Sequence, residues 1–303
     1  MAAEELLAAI EAGEPERMRA LLAAGADVAM ARHDGWTALM LASHGGHLEC
    51  ARALLEAGAD VAQARLDGGT ALMLASGEGQ LECVRALLEA GADVAQAAAD
   101  GWTALMAASC TASTDQLECV RALLEAGADV AQARPDGWTA LMLASHGGHL
   151  ECARALLEAG ADVAQAKPGG GTALTLASRW GHLECVRALL EAGADVAQAR
   201  LGGWTALILA SIWGHLEFVR ALLEAGADVA QCAQPGGWTA LMGSSGEGHP
   251  ECVRALLEAG ADVAQARLEG STALMLASHR GHLECLRALL EAGAGKASSR
   301  FTD

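Results

Sequence analysis

A unit of about 33 residues recurs along this chain, and this repetition limits its fold more than any other feature. The tripeptide Thr-Ala-Leu returns after 33, 33, 36, 33, 33, 34 and 33 residues, starting at Thr37, Thr70, Thr103, Thr139, Thr172, Thr205, Thr239 and Thr272. A unit this short cannot bury an apolar face by itself. The sequence therefore predicts an array in which each unit packs against its neighbours.

Within one unit the residues predict two helices and an extended connection. Thr70 can cap a short helix over residues 71–76, and Gly79 interrupts it before a second helix over about 81–90. The apolar side chains of the second helix follow the spacing of one helical face. Gly91 suits the left-handed position after a helix end, and the Asp-Gly dipeptides that follow predict a finger closed by a tight turn.

The period, the Gly-x-Thr-x-Leu start, the Gly-His-Leu-Glu turn (46–49) and the Gly-Ala-Asp-Val ending (58–61) closely resemble ankyrin repeats over nearly the whole chain. The resemblance implies an all-α solenoid of stacked helix–turn–helix units with β-turn fingers. We assign a degenerate N-terminal half-cap to residues 1–30, a tail to 299–303, and eight repeats to 31–63, 64–96, 97–132, 133–165, 166–198, 199–232, 233–265 and 266–298.

The repeats depart from the family pattern at three positions, the first being Ala38 and its equivalents, which stand where the family usually has Pro. Met40 and most of its equivalents stand where the family usually has His, so its usual hydrogen bond from Thr is expected to be missing. Ala62 and its equivalents replace the family's Asn, a residue that is absent from this chain. This replacement puts the rigidity of the fingers in doubt, together with the Asn hydroxylation that some family members undergo.

Two repeats carry insertions. The third has residues 109–116 in place of the Gly-His turn, three residues more than its equivalents. We interpret them as a tolerated surface loop, with a contact or phosphorylation loop as the alternative. The sixth ends with one extra residue near 232–235, at a finger tip, where an insertion is inexpensive.

The two ends of the array differ. Glu14 and Arg17 occupy positions where later repeats carry His and Cys, which predicts a polar outer end of the kind a capping repeat needs. The last repeat keeps the internal apolar pattern at Leu286 and Leu290. Three arrangements stay open there: Phe301 and the short tail fold over that face, the last helix frays, or the chain is part of something longer.

Cysteines and histidines invite a metal or redox hypothesis, but their spacing favours structural roles. Seven of the nine cysteines share one position of the second helix, which predicts buried, reduced thiols: Cys50, Cys83, Cys119, Cys152, Cys185, Cys252 and Cys285. Only Cys110 and Cys232, in loops, are candidates for exposed reactivity. The histidines of the Gly-His turn are expected to bond to the backbone, as the resemblance implies. We therefore predict no metal site and no cofactor.

Charge and motifs exclude several functional classes. The net charge of −18 disfavours nucleic acid and anionic membrane surfaces as partners. No apolar stretch reaches the roughly 18 residues of a membrane span, and the start has no basic leader segment. We expect a cytoplasmic or nuclear protein that is not secreted. The sequence contains no nucleophile elbow, phosphate loop or zinc-protease motif, which predicts that the chain is not an enzyme.

The repeats vary mainly at positions that face the concave groove in ankyrin repeats. Repeats five to seven place six candidate partner-binding residues there: Arg179, Trp180, Trp204, Ile212, Trp213 and Trp238. Tryptophan and arginine are typical of binding hot spots. Further groove candidates are Trp36, Trp102, Trp138, His44 and His146. For the first three of these we favour packing against the neighbouring finger over binding.

The predicted function is that of a monomeric, non-catalytic adaptor or scaffold that binds basic or apolar segments of other proteins in its groove. The alternative is a targeting arm of a kinase or ubiquitin-ligase assembly, or of a longer chain. A thiol- or metal-dependent enzyme is a third class, and it would require accessible cysteines.

Overall fold

The computed structural model describes residues 2–111 and 113–299. Phe301, whose packing over the last repeat is one of the three possible arrangements, lies outside these residues, as do the other tail residues from 300 on. The chain divides into two compact units, with the boundary between Asp162 and Val163.

In the first unit, helices follow one another as helix–turn–helix pairs. Their bounds are α1 (Ala2–Glu11), α2 (Pro15–Ala23), α3 (Ala38–His44), α4 (Leu48–Glu56), α5 (Ala71–Gly77), α6 (Leu81–Glu89), α7 (Ala104–Ser109), α8 (Thr114–Glu125), α9 (Ala140–Gly147) and α10 (Leu150–Glu158). The first helices of successive pairs pack on one another, and so do the second helices. Single antiparallel bridges such as Ala64–Thr70 close the fingers between pairs.

The second unit repeats this plan. Its helices are α11 (Ala173–Trp180), α12 (Leu183–Glu191), α13 (Ala206–Ile212), α14 (Leu216–Glu224), α15 (Ala240–Glu247), α16 (Pro250–Glu258), α17 (Ala273–Arg280) and α18 (Leu283–Ser299). Two of its fingers are short antiparallel ladders, β1 (Ala199–Arg200) with β2 (Trp204–Thr205) and β3 (Cys232–Ala233) with β4 (Trp238–Thr239). The extra residue of the sixth repeat lies inside the second ladder, as predicted at the finger tip.

The predicted helix ends are confirmed by their hydrogen bonds. Thr70 and its seven equivalents each accept, at the side-chain hydroxyl, the backbone N–H three residues on, at 3.2–3.4 Å. This bond satisfies a donor that the first helical turn leaves open. After the second helix, Gly91 adopts the left-handed conformation with φ of +86°, and the following N–H returns to Leu87.

Two of the departures from the family pattern have local substitutes. In the fifth repeat, where Thr175 replaces the family's His, the Thr172 N–H donates to the hydroxyl of Thr175 at 2.9 Å. Where the family's Asn is missing, a glutamine side chain ties adjacent fingers together. Gln198 donates to the carbonyl of Ala164 at 3.0 Å, and Gln231 makes the same bond to Ala197 at 3.2 Å.

The buried-thiol prediction is confirmed for the repeated helix position. All seven cysteines of that position are buried, and Phe218, which fills the eighth, is buried with them. Burial raises the pKa of the Cys83 thiol to about 11 and that of Cys119 to about 12. All nine cysteines are free thiols.

Residues 1–30 contain two helices, α1 and α2, in which Leu6, Ile10 and Met18 are completely buried. Two local predictions need correction. Part of the third repeat's insertion extends a helix rather than a loop: α8 begins at Thr114, one turn early, and Ser113 caps it. Cys110 and Cys232 are half-buried rather than exposed, and burial raises the pKa of Cys110 to about 11.

The polar first pair and the apolar last pair agree with the predicted difference between the ends. Glu14 and Arg17 form an exposed ion pair at 3.1 Å. On the last pair, Met275 and Leu290 are each 58% exposed. By contrast Met40, which occupies the position of Met275 in the first of the eight repeats, is fully buried.

Candidate functional site

Most finger tryptophans lie beneath an arginine of the following finger. The guanidinium carbon of Arg65 lies 4.9 Å from the ring centroid of Trp36, and Arg134 covers Trp102 at 5.0 Å. These cation–π contacts join adjacent fingers. They support the interpretation of both tryptophans as packing residues.

Trp238, one of the six candidate partner-binding residues, makes the same contact. Arg267 covers its ring at 4.3 Å, and the indole is half-buried. Trp204 is also half-buried, with its indole close to Gly202, where an added Cβ would lie 3.3 Å from the ring. Each of these two tryptophans therefore exposes only part of its indole ring to a partner.

Trp138 and His146 form an edge-to-face pair with ring centroids 5.4 Å apart, and Trp36 and His44 form an equivalent pair at 5.4 Å. His44 also approaches a carboxylate oxygen of Glu78 at 3.7 Å. These contacts place the two groove histidines beside their own finger tryptophans.

Trp180 and Trp213 differ from the finger tryptophans in position and exposure. They occupy the same place in consecutive pairs, at the C-terminal ends of α11 and α13, and each is 53% exposed. Since α11 packs directly against α13, the two indoles belong to neighbouring helices. The guanidinium of Arg179 lies 5.6 Å from the Trp180 ring centroid. We call Arg179, Trp180 and Trp213 the tryptophan patch.

Ile212, a further predicted binding residue, packs inward instead. A Cβ added at Gly243 of α15 would lie 2.7 Å from Cγ1 of Ile212, so the isoleucine occupies the space that a side chain at position 243 would need. Ile212 is half-buried in this contact. Ile212 therefore contributes part of its side chain to the packing between α13 and α15.

A turn histidine holds one of the helix ends that carry the patch. The Nε2 atom of His249 lies 3.0 Å from the carbonyl oxygen of Ile212, the residue before Trp213. The backbone of Arg179, the residue before Trp180, acts on the pKa of His215. The bonds of His149, His249 and His282 confirm the predicted backbone role for these three turn histidines.

Burial lowers the pKa of His215, an effect to which the neighbouring His249 and His182 add by charge repulsion. The backbone interaction with Arg179 acts in the opposite direction and is the smaller effect. The neutral imidazole is thereby favoured in the folded chain.

In the first unit, Trp36, His44 and Trp102 line one open cavity of about 780 Å³. Gly69 and Ala98 also line it. Sequence reasoning named Trp36, His44 and Trp102 as groove candidates but missed the cavity between them. The signal was present, because Gly69 and Ala98 stand where neighbouring fingers carry Trp and Arg.

Across residues 2–111 and 113–299, no three His, Cys, Asp or Glu side chains are grouped so that they could hold a metal ion. Within the same ranges, no helix is both long and apolar enough to cross a membrane.

Stacked helix pairs joined by short antiparallel fingers define a helical-repeat protein. A family model described as ankyrin repeats (3 copies) matches overlapping segments at 6–98, 58–134, 95–167, 113–200, 164–232 and 230–299. The chain belongs to the ankyrin-repeat family. Such repeats are generally protein–protein interaction modules. Comparison with curated proteins finds no match.

Proposed function

We propose that this chain is a non-catalytic adaptor or scaffold that binds a partner protein at the tryptophan patch. The observation that carries the proposal is the pair of half-exposed indoles at equivalent positions of α11 and α13. Isolated exposed apolar residues are common, but two neighbouring tryptophans beside an arginine have the composition of a binding hot spot.

The setting of the patch also favours binding. Trp213 follows a carbonyl that His249 of the next pair holds, which limits the motion of this helix end. A side chain that is fixed before binding loses less conformational entropy when a partner arrives. The patch therefore suits an apolar anchor from a peptide or helix of the partner.

We place the protein in the cytoplasm or nucleus. Nine free cysteines, seven of them at buried positions, fit a reducing compartment better than an oxidising one. A recruiting arm within a larger assembly would use the same patch, with the bound segment belonging to the recruited protein.

The experiment compares two double variants with the wild-type chain. Peptides selected from a random phage-displayed library on the wild type are measured by titration against Trp180→Ala/Trp213→Ala. The matched control is Leu201→Ala/Leu268→Ala, which removes apolar side chains 74% and 79% exposed at finger tips of the same unit.

We expect the tryptophan double variant to bind the selected peptides at least about 30-fold more weakly, since a hot-spot residue contributes 2 kcal/mol or more. The leucine control should bind as the wild type does. Circular dichroism and melting temperature establish that both variants are folded. Peptides that bind both variants equally well would contradict the proposal.

A further inference from the structure

One finger junction of the first unit lacks a contact that the junctions on both sides of it possess. Trp36 is covered by Arg65 of the next finger, and Trp102 is covered by Arg134. At the junction between them the corresponding residues are Gly69 and Ala98. Both the aromatic ring and the guanidinium are therefore missing from the same place.

The space that they would fill is open. The cavity of about 780 Å³ lies here, between the fingers and helices α5 and α7. A Cβ at Gly69 would meet no backbone atom within 3.8 Å, and its nearest neighbour would be a carboxylate oxygen of Asp67 at 3.2 Å, which would have to shift by a few tenths of an ångström. A Cβ at Gly77 would have its nearest neighbour at 3.7 Å. The neighbouring backbone has thus not closed over the gap, whose volume is typical of ligand pockets.

The walls are apolar at depth and acidic at the rim. Met73, Leu74 and Ala107 supply aliphatic surface. Three carboxylates line the cavity against one guanidinium, that of Arg65, which already stacks on Trp36 and pairs with Asp67. The remaining two carboxylates are those of Glu78 and Asp100, whose side chains are both more than half exposed.

These two carboxylates retain capacity for a further partner. Glu78 has a histidine nitrogen at 3.7 Å. Oδ1 of Asp100 accepts the backbone N–H of Trp102 at 3.2 Å, and its Oδ2 has a guanidinium nitrogen of Arg134 at 3.6 Å. The distances to the histidine and to Arg134 exceed those of a charge-assisted hydrogen bond. An uncharged occupant would remove water from the carboxylates without replacing its interactions, whereas a cation would compensate their negative charge.

We propose that this cavity, the Gly69 cavity, binds an arginine side chain of a partner protein. The methylene groups lie against Met73, Leu74 and Ala107, and the guanidinium donates to Glu78 and Asp100. Arginine is favoured over lysine because its planar fork can engage one carboxylate through two hydrogen bonds. The site lies in the first unit and shares no residue with the tryptophan patch, so it extends the proposed function rather than restating it.

The probe is the capped peptide acetyl-Gly-Ser-Arg-Ser-Gly-amide, titrated at 0.15 M salt and followed through the indole N–H signals of the full chain by NMR. We expect saturable shifts of the Trp36 and Trp102 signals, with a Kd on the order of 1 mM for so small a contact. The same peptide with citrulline, which is nearly isosteric and uncharged, should bind at least about tenfold more weakly. Lysine should fall between them.

The decisive variant, Gly69→Trp/Ala98→Arg, fills the cavity with the pair that both neighbouring junctions contain. It should bind the arginine peptide at least about tenfold more weakly while keeping the fold, because this chain already accepts the same pair beside it. Glu78→Gln should weaken binding several-fold without filling the space. The matched control is Gly171→Trp, at the same finger position in the second unit.

Undiminished binding to the filled variant would overturn the proposal, because it would place the peptide elsewhere on the acidic surface. Equal affinity for the citrulline peptide, tighter binding of a tryptophan-centred peptide, or no saturable shift would overturn it as well. If the filled variant does not fold, Glu78→Gln decides. Trp180→Ala/Trp213→Ala should bind the arginine peptide normally, so this proposal and the proposed function can fail independently.

Discussion

At the scale of single residues, the histidine of the Gly-His turn shows how one side chain couples neighbouring pairs. His149, His249 and His282 each bond to the carbonyl at the end of the previous pair's first helix. Gln116 makes the equivalent bond to Gly77 at 3.0 Å through its side-chain amide. A glutamine can therefore replace the imidazole without losing the contact between pairs.

The equivalence of histidine and glutamine at this position leads to a prediction about how stability depends on pH. Burial lowers the pKa of His215 below its usual value of 6.5, so the unfolded chain takes up a proton at a higher pH than the folded chain. Between the two pKa values the unfolded state binds more protons, and stability falls as the pH falls below about 6.5. His215→Gln removes this contribution. Its melting temperature should decrease less than that of the wild type between pH 7.5 and pH 5.

The other titrating groups are the same in both proteins, so their contributions cancel in the comparison. His279→Gln, on an exposed histidine outside the Gly-His turn, is a suitable control and should leave the wild-type pH dependence unchanged. A His215→Gln variant that loses stability on acidification as steeply as the wild type would contradict the prediction.

At the scale of elements, contacts between first helices depend on which side chains meet, and these differ from pair to pair. Most pairs have a leucine or alanine at the position of Gly243, and Ile212 of α13 fills the space that the glycine leaves in α15. Ile212 thus belongs to a packing contact that its own repeat does not reveal. The third repeat shows a similar dependence, since Ser113 converts inserted residues into an added helical turn.

The contact between Ile212 and Gly243 predicts that the effect of Gly243→Ala on the free energy of unfolding changes sign when Ile212 is truncated. Gly243→Ala gains about 1 kcal/mol in helix propensity, but its Cβ overpacks Ile212, which costs about 1–3 kcal/mol. In the wild type the variant should therefore lower the free energy of unfolding by about 1 kcal/mol. In an Ile212→Ala background the same change should raise it by about 1 kcal/mol. Urea unfolding of the four proteins measures both effects, and additive changes would exclude the contact.

At the scale of the whole molecule, the repetition made the fold predictable and also set the limit of prediction. The Thr caps, the left-handed Gly91 and the buried Cys83 recur in nearly every unit, so each is supported by many copies. The position of α5, expected at 71–76 and found at Ala71–Gly77, shows the resulting accuracy. The tryptophan patch stood out because it breaks the pattern.

What the sequence did not predict depends on pairs of residues in different repeats. The Gly69 cavity exists because Gly69 and Ala98 stand where both neighbouring junctions have a tryptophan stacked beneath an arginine. The inward position of Ile212 requires a glycine 31 residues further along. Each departure is unremarkable within its own repeat, and becomes informative only when adjacent repeats are placed side by side.

The common position of the seven helix cysteines makes their reactivity a measure of the folded array. Burial lifts the pKa of Cys83 to about 11, so at pH 8 only about one thiol in a thousand would be ionised even if a reagent could reach it. Cys83 and Cys119 are also almost completely shielded from solvent. In the native chain at pH 8, a thiol reagent should leave all seven unmodified over the time in which it consumes free cysteine.

Mass spectrometry of the digested protein assigns the modified positions, and the same reaction in denaturant, where all nine thiols should react, is the control. With rising denaturant, the seven should become reactive together with the loss of helical circular dichroism, because each thiol is covered by the helices that stack on its own. Rapid modification of Cys83 or Cys119 while the helices remain would contradict the buried position of these thiols. Such modification would instead support the third functional class, an enzyme that depends on accessible cysteines.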